Sequence, residues 1–351
     1  MSTRVNRSRI NRQWTVAERP VTSLADNHFG YVEAPIEEPS EGEVLLQTHV
    51  LNIAPVMRMY MMEGGEAGEA ELPIGGVIHG RGVAEVIASK HPDYEPGEFV
   101  QGQLGWQTYK LSRMTPAERM RKLKPNGLPV HVALSALGMT GFSAWCGFFT
   151  RGEPKAGDAV LVSGAAGGVG SLVVQMAKII GCSPVIGIAG GPDKCALVRG
   201  LGADAVIDYK ADEVESRIGE LLPSGFDLYF DNVGGEILEA ALEHLGQYAR
   251  IVSCGSISEY TRESGFGPTN YTNLRDANAD LRGFFVYNHA DEFDRAKAQM
   301  AGWLREGLLR VVVDQVNGFE NMPRALMEMY SGTGGGKRLV AVADSGAIPI
   351  Y

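Results

Sequence analysis

The sequence predicts an α/β protein of two domains, a doubly wound parallel sheet with helices on both faces and a smaller, turn-rich β-barrel. Six strand-like segments alternate with helix-like segments in the middle of the chain, and short strands punctuated by glycine and proline fill its first third. The 351 residues are 44% hydrophobic and 21% charged, and 45 of them are glycine. That composition is typical of a globular chain, and its glycine content favours tight turns and close backbone approaches.

The barrel is predicted from short strands. A first strand starts near Trp14, residues 42–55 are rich in β-forming side chains, residues 75–89 alternate in hydrophobicity, and residues 95–111 hold two more strands across glycine turns. Residues 115–125 are basic and open with a helix cap followed by proline. We expect a solvated helix or loop there, with a phosphate contact as the alternative.

The parallel sheet is predicted from the alternation that follows a buried helix candidate at residues 134–149. Its strands are nearly continuous apolar runs, as strands buried on both faces are, and occupy residues 158–165, 184–190, 203–209, 226–233, 249–255 and 280–288. The expected helices occupy residues 168–181, 193–202, 212–222, 235–245 and 293–307. A last strand at residues 337–343 is expected to return to the barrel. The predicted domains are therefore residues 1–137 with 312–351, and residues 138–311.

Charge and hydropathy exclude several classes of protein. The net charge is −10, from 32 basic and 42 acidic residues, which argues against a nucleic-acid partner. No apolar run reaches the ~18 residues of a membrane-spanning helix, so no membrane partner is expected. The four cysteines, Cys146, Cys182, Cys195 and Cys254, form no C-x-x-C pair. A disulfide scaffold and a thiolate zinc knuckle are not indicated, and we expect a reducing, cytoplasmic location.

A glycine-rich turn is the candidate dinucleotide site. Gly164, Gly167 and Gly170 are spaced G-x-x-G-x-x-G, with Gly168 in addition. The turn follows a buried strand and opens a helix, where unpaired N–H groups and the positive end of the helix dipole attract a pyrophosphate. The alternative is an ordinary glycine-rich connection without a ligand.

The residues after the second parallel strand favour NADP(H) over NAD(H). An NAD site usually has Asp or Glu at this strand tip, whereas Gly190 stands here and leaves space for a 2′-phosphate. Lys194 can supply positive charge and Tyr209 a hydroxyl donor. Asp193 is the counter-argument, although its place in the first turn of a helix suggests an ordinary cap.

Several segments, in order, resemble the zinc-independent medium-chain dehydrogenase/reductase superfamily, and within it the leukotriene B4 dehydrogenase and prostaglandin reductase branch. They are NRQW at residues 11–14, AAGGVGS at 165–171, DYK at 208–210, DNVGGE at 231–236, CGSISEY at 254–260, LRGFFVY at 281–287 and GFENMPRALMEM at 318–329. The resemblance implies a Rossmann sheet with a GroES-like catalytic domain. It also implies NADPH-dependent reduction of the C=C bond of α,β-unsaturated ketones and aldehydes.

The resemblance also assigns site residues. The substrate pocket is expected at Asn52, Val56 and Met57, and Val56 stands where many members have tyrosine. A further departure is Gly334–Gly336 in place of N-L-G before the lysine. Together with the turn and the strand tips, the expected cofactor-binding residues are Gly167, Gly168, Val169, Gly170, Ser171, Gly190, Lys194, Tyr209, Asn232, Cys254, Gly255, Ser256, Ile257, Phe285, Val286 and Tyr287.

A catalytic zinc is not expected. Zinc-dependent relatives have G-H-E where this chain has His79, Gly80 and Arg81, and no cysteine precedes Cys146. We therefore expect His79 to be a hydrogen-bonded barrel residue.

Tyr260 is the candidate catalytic residue. It follows the fifth parallel strand, at the sheet edge where ligands bind, and can donate a hydrogen bond to the enolate oxygen that forms after hydride addition. One such donor is worth about 2.7–4 kcal/mol. The alternatives are that Tyr260 only anchors its loop, or that Tyr271 or Tyr287 is the donor.

Other functions remain open on the sequence. A quinone or allylic-alcohol oxidoreductase, or a non-catalytic NADP-binding protein, would use the same scaffold. An enoyl-thioester substrate would need a basic cluster, for which Arg119, Arg121, Lys122 and Lys124 are the candidates. The segment 281–287 is predicted to be an edge strand through which two copies pair, giving a homodimer.

Overall fold

The computed structural model describes residues 10–64, 71–124, 128–262 and 265–342, and the chain divides into two compact units. Unit 1 comprises Met1–Leu134, Gln315–Ser331 and Arg338–Tyr351, and unit 2 comprises Ser135–Asp314 and Gly332–Lys337. The segment Gly332–Lys337, placed in the first domain by the sequence prediction, groups with unit 2. Two separate segments of the chain therefore build unit 2.

In chain order, the strands are β1 (Ile10–Val16), β2 (Phe29–Pro35), β3 (Val44–Asn52), β4 (Arg81–Ser89), β5 (Phe99–Gln103), β6 (Tyr109–Ser112), β7 (Arg121–Lys122), β8 (Val160–Val162), β9 (Val185–Ala189), β10 (Ala205–Asp208), β11 (Phe226–Asp231), β12 (Leu245–Ser253), β13 (Asp280–Gly283), β14 (Val313–Asn317) and β15 (Lys337–Ala341). The α-helices are α1 (Val56–Tyr60), α2 (Met139–Trp145), α3 (Gly170–Ile179), α4 (Pro192–Gly200), α5 (Val214–Leu221), α6 (Gly235–Leu242), α7 (Asn273–Asp276), α8 (Phe293–Arg305) and α9 (Met322–Tyr330). No helix among the described residues is long and apolar enough to span a bilayer.

Unit 1 is built on an antiparallel sheet. Its strand order is β14-β15-β3-β4-β5-β7, with β6 pairing β3, and β1 and β2 form a separate antiparallel pair. Alternating apolar side chains bury one face of these strands, as the pattern of residues 75–89 predicts. Leu46, Leu51, Val100 and Trp106 are among the fully buried core residues.

Unit 2 is a six-stranded parallel sheet with the order β10-β9-β8-β11-β12-β13. From β8 the chain adds β9 and β10 on one side of the sheet, and from β11 it adds β12 and β13 on the other side. Such a switch point opens a crevice at the carboxyl ends of the strands. Leu161, Ile186, Tyr229 and Ile251 bury the sheet against its helices. The predicted α/β class with a doubly wound sheet is confirmed.

The sixth parallel strand is shorter than predicted. The prediction placed residues 280–288 in one strand, but β13 ends at Gly283 and a 3-10 helix spans Val286–Glu292. The ladder stops because its neighbour stops: the last pair is Ser253↔Gly283, and β12 ends at Ser253. The apolar run beyond Gly283 therefore has no strand to pair with.

Two other segments, predicted as a buried helix and as a solvated helix or loop, are each divided into shorter elements. The helix candidate at residues 134–149 is a succession of a 3-10 helix (Val130–Leu134), α2 and a π-helical turn (Cys146–Arg151). The basic segment at 115–125 opens with a 3-10 helix (Pro116–Glu118) capped by Thr115, followed by β7. In β7, Lys122 forms an ion pair with Glu98 at 2.7 Å, so part of its charge is neutralised.

Candidate cofactor and active site

The glycine turn lies between β8 and α3, at the switch point of the unit 2 sheet. Gly164 has φ +57°, in the left-handed region that favours glycine. A Cβ at Gly170 would lie 2.4 Å from the Gly164 carbonyl oxygen, so only glycine lets the helix start this close to the strand. The amide of Ser171 donates to the Gly167 carbonyl at 3.0 Å and starts the helix. The N-terminus of α3 thus faces the turn with its dipole and N–H groups.

The segment Gly332–Lys337 lies against this turn. The amide of Gly336 donates to the Ala166 carbonyl at 2.6 Å, and Gly167 and Gly336 form a parallel bridge. A Cβ at Gly168 would lie 3.3 Å from the Cδ of Lys337, whose side chain therefore follows the turn. Burial lowers the pKa of Lys337 to about 8, because the interior disfavours its charged form.

The residues predicted to hold a 2′-phosphate come together. A Cβ at Gly190 would lie 2.6 Å from the ring of Tyr209, so these two predicted residues are in contact. The Nζ of Lys194 donates to the Gly332 carbonyl at 2.7 Å, and a Cβ at Gly332 would lie 3.5 Å from the Tyr209 hydroxyl. The lack of a side chain at Gly190 therefore makes room for the Tyr209 ring. The segment Gly332–Lys337 holds Lys194 beside this tyrosine.

The tip of β9 carries no acid, but a carboxylate from β10 organises it. Asp208 accepts from the amide of Gly191 at 2.7 Å and from that of Lys210 at 3.1 Å. These backbone bonds hold the pKa of Asp208 below its usual range. Gly191, not Asp193, is the N-cap of α4, and Asp193 lies in the first helical turn.

The loop after β11 is fixed by a buried carboxylate. Asp231 is 1% exposed and accepts from the hydroxyls of Ser163 and Tyr229, both at 2.8 Å, and from the amides of Val233 and Gly234. The neighbouring Asn232 donates its amide to the Ser163 carbonyl at 2.8 Å. Asn232 is thus bound to the end of β8, beside the glycine turn.

The loop after β12 contains the predicted nicotinamide-side residues, Cys254 to Ile257, and Tyr260. The amides of Cys254 and Gly255 both donate to the Asp231 carbonyl, and that of Ile257 donates to Asn232. Burial, and secondarily the charge of Asp231, raises the pKa of the Cys254 thiol to about 12, so it stays protonated. This loop is therefore fastened to the loop after β11.

Tyr260 turns back over its own loop. Its hydroxyl oxygen accepts from the Ser256 amide at 3.5 Å and lies 3.6 Å from where a Cβ of Gly255 would be. An oxygen that accepts a hydrogen bond becomes a stronger O–H donor. The rival Tyr271 is 63% exposed and lies outside this loop.

Phe285, Val286 and Tyr287 do not form a strand end as predicted. They lie between Gly283 and the 3-10 helix Val286–Glu292 and in its first turn, with the Phe285 and Tyr287 rings 5.1 Å apart. Phe285 is 45% exposed. They follow the edge strand rather than extend it.

The predicted substrate residues belong to unit 1. Asn52 ends β3, and its buried Oδ1 has no hydrogen-bond partner among the described residues. Val56 begins α1 and is half-buried, whereas Met57 is 2% exposed in the unit 1 core, so the structure gives Met57 a packing role. His79 packs edge-on against Tyr60, with ring centroids 5.6 Å apart.

The unit 2 residues fit a phosphorylated dinucleotide. The turn at Gly167 and Gly168 exposes backbone without side chains, the N-terminus of α3 offers the anion its N–H groups, and Lys194 and Tyr209 share the place next to Gly190. A cradle of this kind would be filled by a Cβ at Gly168. The chemistry of these groups matches a pyrophosphate and a further phosphate.

Two family models and several known proteins match the sequence of this chain. The family model described as the N-terminal domain of oxidoreductase matches residues 12–120, and the model described as zinc-binding dehydrogenase matches residues 168–302. The NADPH-dependent curcumin reductase of Escherichia coli (strain K12) is 35% identical over 95% of this chain and 97% of its own. The NADP(+)-dependent 2-alkenal reductase of Nicotiana tabacum is 34% identical over 86% of this chain and 88% of its own.

This chain is a zinc-independent medium-chain dehydrogenase/reductase. The crystal structure of CurA from Vibrio vulnificus in complex with NADPH has a TM-score of 0.87 and 34% identity, covering 95% of this chain and 99% of that one. The resemblance stated from the sequence is confirmed, and so are the fold class and the cofactor. The protein is an NADP-dependent oxidoreductase.

Sequence reasoning missed two contributions to the site of this dehydrogenase/reductase. Asp231 holds the loops after β11 and β12 together, and its only signal was its place in the DNVGGE segment. The segment Gly332–Lys337 supplies an acceptor to Lys194 and lies along the glycine turn. The resemblance pointed to Gly334–Gly336 in this segment, but no local pattern indicates its contact with Lys194, because Gly332 follows Lys194 by 138 positions.

Proposed function

We propose that this protein reduces the C=C double bond of α,β-unsaturated ketones and aldehydes. The observation that carries the proposal is the meeting of Gly190, Lys194 and Tyr209 beside the glycine turn, because it selects NADPH, the reductant of such reactions. The relatives named for curcumin and 2-alkenal reduction support the substrate class. Asn52 and Val56 are the proposed substrate contacts of unit 1.

When bound, NADPH supplies the hydride that adds to the β-carbon of the substrate. Negative charge then develops on the carbonyl oxygen, and a hydrogen-bond donor must meet it there. Tyr260 is the proposed donor, because it lies on the loop after β12 and its hydroxyl oxygen accepts from the Ser256 amide, which strengthens a hydroxyl as a donor. The fastening of its loop to Asp231 and Asn232 fixes the position of the loop without using the tyrosine.

The reaction is tested by NADPH consumption with a panel of long-chain enones, enals, quinones and, in reverse with NADP⁺, allylic alcohols. We expect saturated ketones and aldehydes as products by mass spectrometry. Turnover of quinones alone, or of allylic alcohols alone, would replace this proposal by an oxidoreductase of that class. NADPH binding without turnover of any compound would assign a non-catalytic binding protein.

The role of Tyr260 is tested by Tyr260→Phe. Loss of one oxyanion donor lowers kcat by about 10²–10³-fold, and the dissociation constant of NADPH should stay unchanged. Tyr271→Phe is the matched control, since that tyrosine is exposed and is expected to keep full activity. Equal kcat values for Tyr260→Phe and the wild type would remove Tyr260 from the mechanism.

We infer further that the protein works as a homodimer in the cytoplasm. Strand β13 has β12 as its neighbour, and its other edge carries Leu281, 49% exposed. Unpaired strand edges favour association. The cytoplasmic location is supported by four free cysteines, three of them buried, which suit a reducing compartment.

A further inference from the structure

Three potential metal ligands of unit 2 converge at one point. The thiol of Cys146, the imidazole of His289 and the carboxylate of Glu292 each offer an atom, and these atoms all lie within 4.8 Å of one another. Cys146 begins the π-helical turn Cys146–Arg151, and the other two residues belong to the 3-10 helix Val286–Glu292. Residues far apart in sequence thus meet at one point.

We propose that Cys146, His289 and Glu292 form a binding site for a zinc-like divalent cation. A thiolate, an imidazole and a carboxylate are the three donor types that bind zinc in proteins. A hard cation such as Mg²⁺ or Ca²⁺ would avoid the sulfur. One thiolate and one carboxylate would also neutralise the two positive charges of the ion.

The distances suit a tetrahedral ion. The Nδ1 of His289 and the Oε1 of Glu292 are 3.3 Å apart. Two ligands about 2.0 Å from a shared tetrahedral zinc ion are separated by about 3.3 Å. The Cys146 sulfur lies within 4.8 Å of a ligand atom of each of these two residues, so a movement of its side chain toward them would bring it to the ~2.3 Å typical of zinc–sulfur bonds.

Neighbouring side chains orient the carboxylate of Glu292. The hydroxyl of Thr150 lies 3.0 Å from its Oε2 and 3.2 Å from its Oε1, and Arg295 donates to Oε2 at 2.6 Å, while Oε1 faces His289. Arg295 is itself held over the ring of Trp145 at 4.8 Å. Hydrogen bonds of this kind to a ligating carboxylate are typical of metal centres.

The backbone at the site is also unusual. Cys146 is the first residue of the π-helical turn. Such turns are rare in proteins, and those that occur are often found at functional sites. His289 departs from helical geometry inside its 3-10 segment, with φ −116° and ψ 24°. The π-helical turn positions Cys146, and the break in helical geometry positions His289.

Binding is an acid–base step without a change of oxidation state. Burial raises the pKa of the Cys146 thiol to about 11, so the sulfur carries a proton before the ion arrives. The cation accepts the sulfur lone pair, the S–H bond breaks, and one proton leaves for the buffer. Glu292 contributes a carboxylate oxygen and His289 a ring nitrogen.

The experiment uses the full-length protein, stripped with a chelator and kept reduced by a phosphine. Co²⁺ replaces zinc as the probe because its thiolate complexes absorb in the near ultraviolet and its tetrahedral complexes absorb strongly in the visible. We expect one equivalent of Co²⁺ to produce both bands, displacement of Co²⁺ by Zn²⁺, and release of one proton per ion. Absence of the near-ultraviolet band in the wild-type protein would overturn the proposal.

Variants identify the ligands. Cys146→Ser should abolish the near-ultraviolet band, whereas Cys182→Ser, which changes an equally buried thiol with a similarly raised pKa, should retain it. His289→Ala and Glu292→Gln keep the cysteine and should each weaken Co²⁺ binding at least tenfold, which tests the site even if Cys146→Ser fails to fold. A band that survives in Cys146→Ser, or unchanged affinity in both other variants, would disprove the site.

Discussion

Lys194 is the residue on which the choice of cofactor depends in our proposal. Its Nζ donates to the Gly332 carbonyl beside Tyr209, whose ring lies over Gly190. A hydrogen bond to a charged partner contributes about 1.5–3 kcal/mol. Lys194→Ala should therefore weaken NADPH binding by roughly 10–100-fold and leave NADH binding unchanged, as measured by nucleotide fluorescence.

The control for Lys194→Ala is Lys297→Ala, which removes the same charge from the exposed face of α8. It should bind both nucleotides as the wild type does. Equal losses for NADPH and NADH in Lys194→Ala would show that the lysine does not read the 2′-phosphate.

Lys337 should make NADPH binding depend on pH. Burial places its pKa at about 8 in the free protein, and an anion held by the adjacent turn favours the charged form and raises that pKa. Binding therefore takes up a proton above pH 8, so the dissociation constant for NADPH should rise with pH from 8 to 9.5, by at most about tenfold per unit. The cofactor's own 2′-phosphate, with a second pKa near ~6, does not titrate in this range.

Lys337→Met tests this linkage, because methionine keeps the apolar stem of the side chain without the amine. The variant should show a flat dissociation constant over the same pH range in fluorescence titrations. A pH slope equal to that of the wild type would assign the effect to another group.

For single residues, the sequence indicated which side chains belong to the candidate site better than it indicated which residues they contact. Lys194 and Tyr209 were predicted together because each follows a strand of the parallel sheet, and such strand ends share one edge. Lys337 was not found, since its contact with the turn is made by the tertiary fold. Met57 was expected in a pocket from the resemblance, but its apolar side chain packs into the core of unit 1.

Among the elements, the start of α3 tolerates the least change. A Cβ at Gly170 would lie 2.4 Å from the Gly164 oxygen and 2.8 Å from the Ala165 Cα, both backbone atoms. Overpacking of this kind costs about 1–3 kcal/mol. Gly170→Ala should lower the denaturation midpoint and weaken NADPH binding, because the helix N-terminus is pushed away from the turn.

Gly302 in α8 is the matched control for Gly170. A Cβ there meets no atom within 4 Å, and alanine is favoured over glycine in a helix by about 0.5–1 kcal/mol. Gly302→Ala should therefore raise the midpoint and leave NADPH binding unchanged. A similar loss of stability in both variants would show that the close helix start does not matter.

Element boundaries were predictable where a single chain segment decides them, as in α3, which begins at a glycine and ends next to another. They were not predictable where pairing with a neighbouring strand determines where an element ends. The apolar residues 284–287 continue the pattern of a strand, yet β13 stops because β12 offers no further partner. The π-helical turn at Cys146 likewise has no pattern that distinguishes it from the helix before it.

For the whole molecule, the proposed homodimer is tested at the edge of β13. Light scattering after size exclusion should give twice the 37.8 kDa of one chain for the wild type. Leu281→Lys places a charge on that edge and should shift the protein toward 37.8 kDa, whereas Leu308→Lys, at a position 52% exposed outside the strand, should leave the dimer intact. A wild-type mass of one chain would contradict the dimer.

The long return of the chain orders events during synthesis. Strand β15 pairs with β3 through Leu339↔Asn52, so the central strand of unit 1 gains this neighbour only after nearly the whole polypeptide has left the ribosome. Most of unit 2 is contiguous and emerges earlier. Until then the end of β3 at Val50–Asn52 is available to foreign strands, and a nonsense codon shortly before β15 would yield a chain prone to aggregate rather than a weaker enzyme.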